Sequence, residues 1–244
     1  MRHPPAGVDG RGHLSPGRWL LIGNSRWHWA TGKPGELQSW DDSPGAGDPE
    51  GLTGWAAVGP VPPQLSLPAC CRVLTTQVPL GRTPPWLGVD RALAGWSAWQ
   101  RSGGAVLVAD AGTALSLTRI HEDGGFAGGR LLAGVALQLR SLQAGTAGLP
   151  ALELPLSAPG QPWPDATGEA MAIGVVRGLA AAVAQAGHEA RAEYPGCRLW
   201  ITGGDGLLLA PLVRELLVGS SLEVELAPTL ALEALALLRP GQDH

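Results

Sequence analysis

Two separated stretches of the chain share one pattern, in which an apolar strand enters a glycine-containing polar turn and a second strand returns. In the first stretch, the turn Gly23-Asn24-Ser25 divides residues 18–30 into two predicted strands. In the second, the apolar strand 105–109 meets a turn at residues 110–113, and residues 114–120 return. A repeated hairpin of this kind predicts two related lobes rather than one continuous sheet.

The remaining segments complete an α/β pattern. Apolar residues recur at helical spacing, or form short strand-like runs, in the segments that follow each hairpin. Helices are predicted over residues 90–101, 134–143, 167–186, 206–217 and 229–238, with Thr167 as an N-cap. Strands are predicted over 55–61, 72–78, 199–201 and 222–226. We expect a disordered tail over 1–17, an N-terminal lobe over 18–103 and a C-terminal lobe over 104–244. The first lobe carries a long loop over 31–53 with one short helical turn at 36–40.

The charge and cysteine content exclude several classes of protein. The net charge is −4 and Lys33 is the only lysine, so the chain lacks the clustered positive charge that nucleic-acid binding requires. The 3 cysteines do not make a disulfide framework. Neither a signal peptide nor an apolar run of about 20 residues is evident, so we expect a cytoplasmic protein that does not enter a membrane.

Three glycine-containing turns offer groups that suit phosphate or cations. In Asp110-Ala111-Gly112-Thr113, a carboxylate can hold a cation, while the glycine and the threonine hydroxyl allow contact with a phosphate. Gly23-Asn24-Ser25 occupies the equivalent place in the first copy. Thr202-Gly203-Gly204-Asp205 stands between a strand and a helix, whose N-terminus favours anions. Each turn alone is equally compatible with a plain turn that binds nothing.

The stretch Gly88-Val89-Asp90-Arg91 places a carboxylate and a guanidinium group side by side at the start of a helix. Asp90 is an N-cap on one interpretation. On the other, its carboxylate takes a proton from a substrate hydroxyl while Arg91 holds an anionic group. The 6 histidines show no metal-ligand spacing, and the 10 tryptophans are best explained by core packing.

Taken in order, these motifs resemble those of the type III pantothenate kinases, which belong to the acetate and sugar kinase/Hsp70/actin superfamily. The matching stretches are 22–26 (IGNSR), 88–91 (GVDR), 110–114 (DAGTA), 126–129 (FAGG), 146–150 (TAGLP), 167–171 (TGEAM) and 202–205 (TGGD). The resemblance implies two ribonuclease-H-like lobes with the nucleotide between them. It also implies phosphorylation of pantothenate by ATP at the terminal hydroxyl, which is the first step of coenzyme A biosynthesis.

The resemblance further implies roles for individual residues. Asp90 corresponds to the general base that accepts the hydroxyl proton. The pantothenate-binding residues correspond to Gly88, Val89, Asp90, Arg91 and Thr167. Asp110 corresponds to the residue that holds a monovalent cation, K⁺ or NH₄⁺, and Thr113 to an ATP-binding residue. The ATP-binding hairpin corresponds to Leu21, Ile22, Gly23, Asn24, Ser25, Arg26, Trp27 and His28. Mg²⁺ accompanies ATP, and family members are homodimers.

The chain departs from the family pattern at the first hairpin. The family has an aspartate that positions Mg²⁺ where this chain has Leu21, and a threonine where it has Ser25. A leucine cannot ligate Mg²⁺. We therefore expect Mg²⁺ to be held mainly by the ATP phosphates and water, with Asp110 nearby. Two alternatives remain at this point, a degenerate kinase fold that binds or regulates without catalysis and a related kinase for another small hydroxy acid.

Overall fold

The computed structural model describes residues 16–154 and 161–241 and divides the chain into two compact units. The first unit is Met1–Arg101 together with Thr229–His244, and the second is Ser102–Pro228. The C-terminal segment thus belongs with the first unit, whereas the sequence pattern had left it in the second lobe. The indole N–H of Trp19 donates to the carbonyl oxygen of Arg239 at 2.8 Å and helps to hold this segment there. The tail predicted over 1–17 lies outside the described residues except for its last two positions.

The described residues contain strands, α-helices and two short 3₁₀ turns. The strands are β1 (Gly17–Ile22), β2 (Trp27–Lys33), β3 (Glu36–Asp42), β4 (Gly54–Ala57), β5 (Val106–Ala111), β6 (Ala114–Ile120), β7 (Phe126–Ala133), β8 (Arg198–Thr202) and β9 (Val224–Leu226). The helices are α1 (Val89–Ser102), α2 (Val135–Gly145), α3 (Thr167–Glu193), α4 (Gly206–Leu216) and α5 (Leu230–Leu238).

The first unit is built on a sheet with the strand order β3-β2-β1-β4. β2 is antiparallel to both β1 and β3, and β4 runs parallel to β1. Alternation along β1 and β2 places Leu20 opposite Trp29 and Ile22 opposite Trp27, and all four side chains are buried in one cluster. Large indole rings on one face of a short sheet remove much apolar surface from water, which stabilises the hairpin. On the opposite face, α5 packs against β1 and β4.

Two segments of the first unit differ from their prediction. Residues 36–42 form β3 and not a loop with a helical turn, because Pro34-Gly35 makes a two-residue turn that pairs Lys33 with Glu36. Gly35 has φ +89°, the conformation that glycine adopts at the third position of a type II turn after proline. The strand predicted over 72–78 is also wrong. It contributes one bridge, between Trp55 and Arg72, and then a 3₁₀ turn over Thr75–Gln77.

The second unit repeats the strand order of the first and adds one strand, giving β7-β6-β5-β8-β9. β6 is antiparallel to β5 and β7, while β8 is parallel to both β5 and β9. This confirms the predicted α/β class with two related lobes. The helix predicted from Thr167 is present as α3, but its N-cap is Ala166 and Thr167 is the first helical residue.

Helix α3 is the one described segment that is long and apolar enough to cross a membrane, contrary to the expectation from the sequence that no run approaches that length. More than half of its most apolar window (56%) is buried inside the protein. Val176, Leu179, Ala180 and Val183 lie in the main cluster of the second unit, where α3 packs against β5, β6, α2 and α4. Its apolar composition is therefore explained by its place in the core.

Candidate functional site

The turn between β1 and β2 is closed tightly around Gly23. The Gly23 N–H donates to the carbonyl oxygen of Arg26 at 3.0 Å, and a Cβ at Gly23 would lie 2.8 Å from that same oxygen. Glycine is therefore required for the turn to close in this way. Asn24, Ser25 and Arg26 are exposed around it, whereas Leu21, Ile22 and Trp27 are buried strand residues. The polar residues predicted to meet a phosphate therefore lie at the surface of the protein.

A second glycine supports this turn and was missed by the sequence analysis. The N–H groups of Val58 and Gly59, which follow β4, both donate to the carbonyl oxygen of Ile22, at 3.0 and 3.2 Å. A Cβ at Gly59 would lie 2.1 Å from the carbonyl oxygen of Gly23. The signal in the sequence is a glycine directly after a strand that is parallel to β1, since the carboxyl ends of parallel neighbours meet at one edge of a sheet.

Asp90 is the second residue of α1, so it does not occupy the N-cap position that one interpretation gave it. Its Oδ1 accepts a hydrogen bond from the Arg91 N–H at 2.7 Å and packs against Gly88, 2.5 Å from where a Cβ would stand. That Cβ position is also 3.4 Å from the side chain of Val58, next to the residue that supports the Gly23 turn. Within the first unit, the structure therefore brings the acid of α1 to the strand ends that form the turn.

The carboxyl of Asp90 is partly withdrawn from water. Burial raises its pKa above the ordinary value, while the Arg91 N–H, the Arg91 charge and His28 oppose the rise. A carboxylate with a raised pKa is a stronger base than an exposed one, and general bases in enzymes are tuned in this direction. Arg91 is half-buried beside it. The 3₁₀ turn over Thr75–Gln77 holds the segment before α1, because the Thr75 hydroxyl donates to the carbonyl oxygen of Leu87 at 3.0 Å.

His28 forms a hydrogen bond with Asp41 that the sequence did not predict. Its Nδ1 lies 2.7 Å from Oδ1 of Asp41, which stands opposite it on β3, and Oδ2 of Asp41 lies 3.6 Å from an Arg26 nitrogen. These contacts lower the pKa of Asp41, the hydrogen bond to His28 contributing most. On the other side of His28, the residue opposite on β1 is Leu21, which is 7% exposed. Position 21 is therefore a buried apolar residue next to His28.

In the second unit, the turn after β5 is packed against two other glycine-containing turns. A Cβ at Gly134 would lie 2.0 Å from the carbonyl oxygen of Gly112, and the Gly134 N–H donates to the carbonyl oxygen of Thr113 at 3.0 Å. At Gly203, a Cβ would lie 2.5 Å from both Oδ1 of Asp110 and the carbonyl oxygen of Ala111. The structure therefore brings together the predicted residues Asp110 and Thr113 with the stretch Thr202–Asp205.

The remaining predicted site residue is Thr167, at the start of α3. Thr167 is exposed at the first position of α3. Across residues 16–154 and 161–241, no group of three or more His, Cys, Asp or Glu side chains is placed to hold a metal ion. A cation at the turn after β5 would have the Asp110 carboxylate and backbone carbonyl oxygens as ligands.

Comparison with known proteins adds a family. The family model for type III pantothenate kinases matches residues 72–189, a range that includes Asp90, Asp110, Thr113 and Thr167 and leaves out the first hairpin. A type III pantothenate kinase of Synechococcus elongatus is 40% identical over 219 residues, covering 81% of this chain and 87% of that protein. One from Thermosynechococcus vestitus is 40% identical over 207 residues and covers 81% of each chain.

A solved structure shares the fold. A conserved Campylobacter jejuni protein assigned to the Baf family of transcriptional activators superposes with a TM-score of 0.55 at 17% identity. The match covers 91% of this chain and 96% of that one. At this level of identity the likeness concerns the fold alone.

Proposed function

Because this chain belongs to the type III pantothenate kinase family, we propose that it transfers the γ-phosphoryl group of ATP to the terminal hydroxyl of pantothenate, with Asp90 as the general base. The observation that carries the assignment of the base is the raised pKa of a partly buried carboxyl beside the Gly23 turn. The product is 4′-phosphopantothenate, and the reaction opens coenzyme A biosynthesis.

The proposed step is one in-line displacement. The hydroxyl oxygen of pantothenate forms a bond to the γ-phosphorus, the bond from that phosphorus to the oxygen shared with the β-phosphate breaks, and ADP leaves with the electron pair. The hydroxyl proton passes to the Asp90 carboxylate. Phosphoryl transfer depends on alignment and on neutralising the charge of the transferred group, so a small number of well-placed donors is sufficient.

Other residues of the first unit supply alignment in this proposal. The side chains of Asn24 and Ser25 and the backbone N–H groups that follow Gly23 donate to the ATP phosphates. Arg91, next to the base in α1, pairs with the carboxylate of pantothenate, since a guanidinium binds a carboxylate through two parallel hydrogen bonds. Gly88 leaves room for the Asp90 carboxylate, whose Oδ1 occupies the space that a side chain there would take. In the second unit, Thr113 contributes a hydroxyl to ATP binding, and Thr167 binds pantothenate.

Two cations belong to the proposal. Asp110 holds K⁺ or NH₄⁺, for which one carboxylate and neighbouring backbone carbonyl groups are suitable ligands. Mg²⁺ neutralises the charge of the phosphates when it is bound. The residues described in the first unit do not form a cage for Mg²⁺, because position 21 is a buried leucine. We therefore propose that Mg²⁺ arrives with ATP, held by its phosphates and by water.

We also propose that the enzyme is a cytoplasmic homodimer. The resemblance to the family suggests the dimer, and α3 leaves space around Gly174 and Gly178, where a Cβ would meet nothing within 4 Å. Size-exclusion chromatography with light scattering measures the state directly, and a mass near the 25.1 kDa of one chain would contradict the dimer.

A coupled ADP-release assay tests the proposed reaction. With ATP, Mg²⁺ and K⁺ present, ADP release should require pantothenate, and ³¹P NMR should show one new phosphomonoester for each ADP formed. ADP release with another small hydroxy acid but not with pantothenate would identify a different substrate. No release with any of them would indicate a kinase fold without catalysis.

A further inference from the structure

One row of residues crosses the first sheet beside the Gly23 turn. Cross-strand neighbours on one face are, in order, Asp41 on β3, His28 on β2, Leu21 on β1 and Ala56 on β4. Residues that face each other across adjacent strands project to the same side of a sheet. The two polar members of the row therefore stand side by side, next to the apolar position at the end of β1.

The ring of His28 is oriented by Asp41. Oδ1 of Asp41 lies 2.7 Å from Nδ1 of His28, so Nδ1 carries a proton and donates it to the carboxylate. The opposite ring nitrogen, Nε2, lies 3.4 Å from the position that a Cβ on Gly23 would take. Because Gly23 has no side chain, Nε2 borders the turn that the proposed function assigns to the ATP phosphates.

The protonation state of the ring decides what it can do there. With one proton on Nδ1, Nε2 has a lone pair, which repels a phosphate oxygen. With a second proton, Nε2 donates a charged hydrogen bond, which is stronger than a neutral one. The charged groups that face the ring are Asp41 on β3, Asp90 on α1 and Arg26 in the turn. A phosphate bound at the turn adds a further negative charge, which stabilises the positively charged ring.

We propose that His28, held by Asp41, donates a charged hydrogen bond from Nε2 to a phosphate oxygen of ATP, so that ATP binding takes up a proton. The inference rests on the proposed function for the identity of the ligand, a nucleoside triphosphate. His28 contacts the substrate, and Asp41 is a positioning residue that acts through it. In the proposal, the His28 ring thus supplies positive charge next to Leu21, which offers no ligand to Mg²⁺.

Calorimetry of MgATP binding tests the proposal without depending on turnover. Titrations in two buffers of different ionisation enthalpy give the number of protons taken up, and wild type should take up a measurable fraction of one proton near pH 7. The Kd for MgATP should rise with pH by about tenfold in total, because by linkage the rise cannot exceed the strength of the one charged hydrogen bond. In the proposal, His28→Asn removes both effects and weakens binding by about tenfold at pH 6, the size expected for one charged hydrogen bond.

The choice of variants separates the roles. Asparagine at 28 keeps an N–H near Asp41 but has no atom that reaches the Gly23 turn. Asp41→Asn leaves the imidazole in place and removes the charge that favours its protonation, so it should shift the pH dependence of Kd toward lower pH. A purely structural role for Asp41 would change Kd at all pH values alike. Asp42→Asn is the matched control, because Asp42 is the next residue of β3 and accepts from the Trp40 indole instead of His28.

The outcomes distinguish this inference from the proposed function. Proton uptake by wild type that is lost in His28→Asn supports the inference whether or not pantothenate is phosphorylated. Binding of MgATP without proton uptake, or uptake that is unchanged in His28→Asn, overturns it and leaves the kinase assignment untouched. Absence of MgATP binding by wild type overturns both. If His28→Asn does not fold by circular dichroism, the pH shift in Asp41→Asn decides the question.

Discussion

In each unit, the strand that leads into the glycine-containing turn (β1 or β5) ends in the same way. The side chains around the two turns are different. Leu21 stands two residues before Gly23, and Asp110 stands two residues before Gly112. Leu21 lies between His28 and Ala56 on the neighbouring strands, whereas Asp110 lies between Ser116 and Thr202. The carboxylate of the second unit is therefore on the central strand itself. In the first unit the titratable groups around the turn lie on other elements, namely His28 on β2, Asp41 on β3 and Asp90 on α1.

The support beneath each turn is also shared. The carbonyl oxygen of Ile22 accepts from the residues after β4, and that of Ala111 accepts from the Asp205 N–H, after β8, at 2.8 Å. In both units a strand parallel to the central strand thus ends in a loop that holds the turn. The comparison teaches that the two units share the backbone arrangement that supports the turn, whereas the side chains around it differ. In the proposal, these side chains decide whether the turn attracts an anion or a cation.

The largest expected effect distinguishes Asp90 on α1 of the first unit from Asp110 on β5 of the second. Asp90→Asn should lower kcat on the order of 10²–10⁴-fold because it removes the proton acceptor. The loss should be the same in K⁺, NH₄⁺ and Na⁺, which would distinguish Asp90 from Asp110, the proposed cation ligand. Steady-state kinetics in the three salts make the measurement. Near-normal turnover in Asp90→Asn would show that its carboxylate serves only the start of α1.

The same residue gives a pH dependence of defined sign. Burial raises the pKa of Asp90, so the folded protein binds this proton more tightly than the unfolded chain does. The carboxylate, which is the form that accepts the substrate proton, is lost as pH falls through that pKa. Activity should therefore decline on the acid side. The favourable contribution of the neutral form to stability is present at low pH and is lost as pH rises through the same pKa. Asp90→Asn should thus be no less stable than wild type at pH 7, as measured by urea denaturation.

Gly59 after β4 and Gly203 after β8 test whether the loop that supports the turn contributes equally to stability in the two units. Gly203 has φ +84° and its Cβ would meet two oxygens, so Gly203→Ala should lower the free energy of unfolding by about 2–4 kcal/mol. At Gly59 a Cβ would lie 2.1 Å from the Gly23 carbonyl oxygen and 2.6 Å from the carbonyl carbon, but the positive φ is lacking, so Gly59→Ala should lose about 1–3 kcal/mol. Gly204→Ala is the matched control, since its Cβ would meet nothing within 4 Å. Equal losses in all three variants by urea denaturation would remove the structural distinction.

Local signals in the sequence carried the parts of the fold that were predicted correctly. The two hairpins combine alternating apolar residues with a glycine turn, and α1 has a continuous apolar stripe, so each is specified within about a dozen residues. Strand β3 was missed because its side chains are mostly exposed and give no alternation, although Pro34-Gly35 marks the turn before it. Residues 229–238 were recognised as a helix, but no local pattern says which sheet such a helix covers.

The candidate site divides in the same way. Asp90, Asp110 and Thr113 stand in short motifs that the sequence displays directly. The pairing of His28 with Asp41 depends on the register between β2 and β3, and the contact of Gly59 with Gly23 depends on a parallel pairing across more than 30 residues. Such contacts follow from the assembled sheet, so a single sequence without its pairing cannot reveal them.

Leu21→Asp places in the first unit the carboxylate that the second unit has at Asp110. Because position 21 is buried, the variant should lose about 2–4 kcal/mol of unfolding free energy, and Leu21→Asn should lose a similar amount. Only the aspartate adds a Mg²⁺ ligand, so only Leu21→Asp should reach half-maximal activity at a lower Mg²⁺ concentration than wild type. The measurement is an ATP and Mg²⁺ titration of all three proteins. Wild type with no detectable turnover at any Mg²⁺ concentration would contradict the proposal that ATP phosphates and water suffice to hold the ion.

The smallest effect concerns the cation proposed at Asp110, the position where the second unit has a carboxylate and the first has Leu21. Replacing Na⁺ by K⁺ or NH₄⁺ should raise the activity of wild type severalfold, because a large cation of low charge fits one carboxylate and backbone carbonyl groups. In Asp110→Asn the activity should respond weakly to the choice of cation, since the amide keeps the size of the side chain and loses its charge. His28→Asn is the matched variant in the first unit, and its activity should keep the full cation response. An unchanged response in Asp110→Asn would move the cation away from the turn after β5, and the contrast between the two strand ends would then rest on His28 alone.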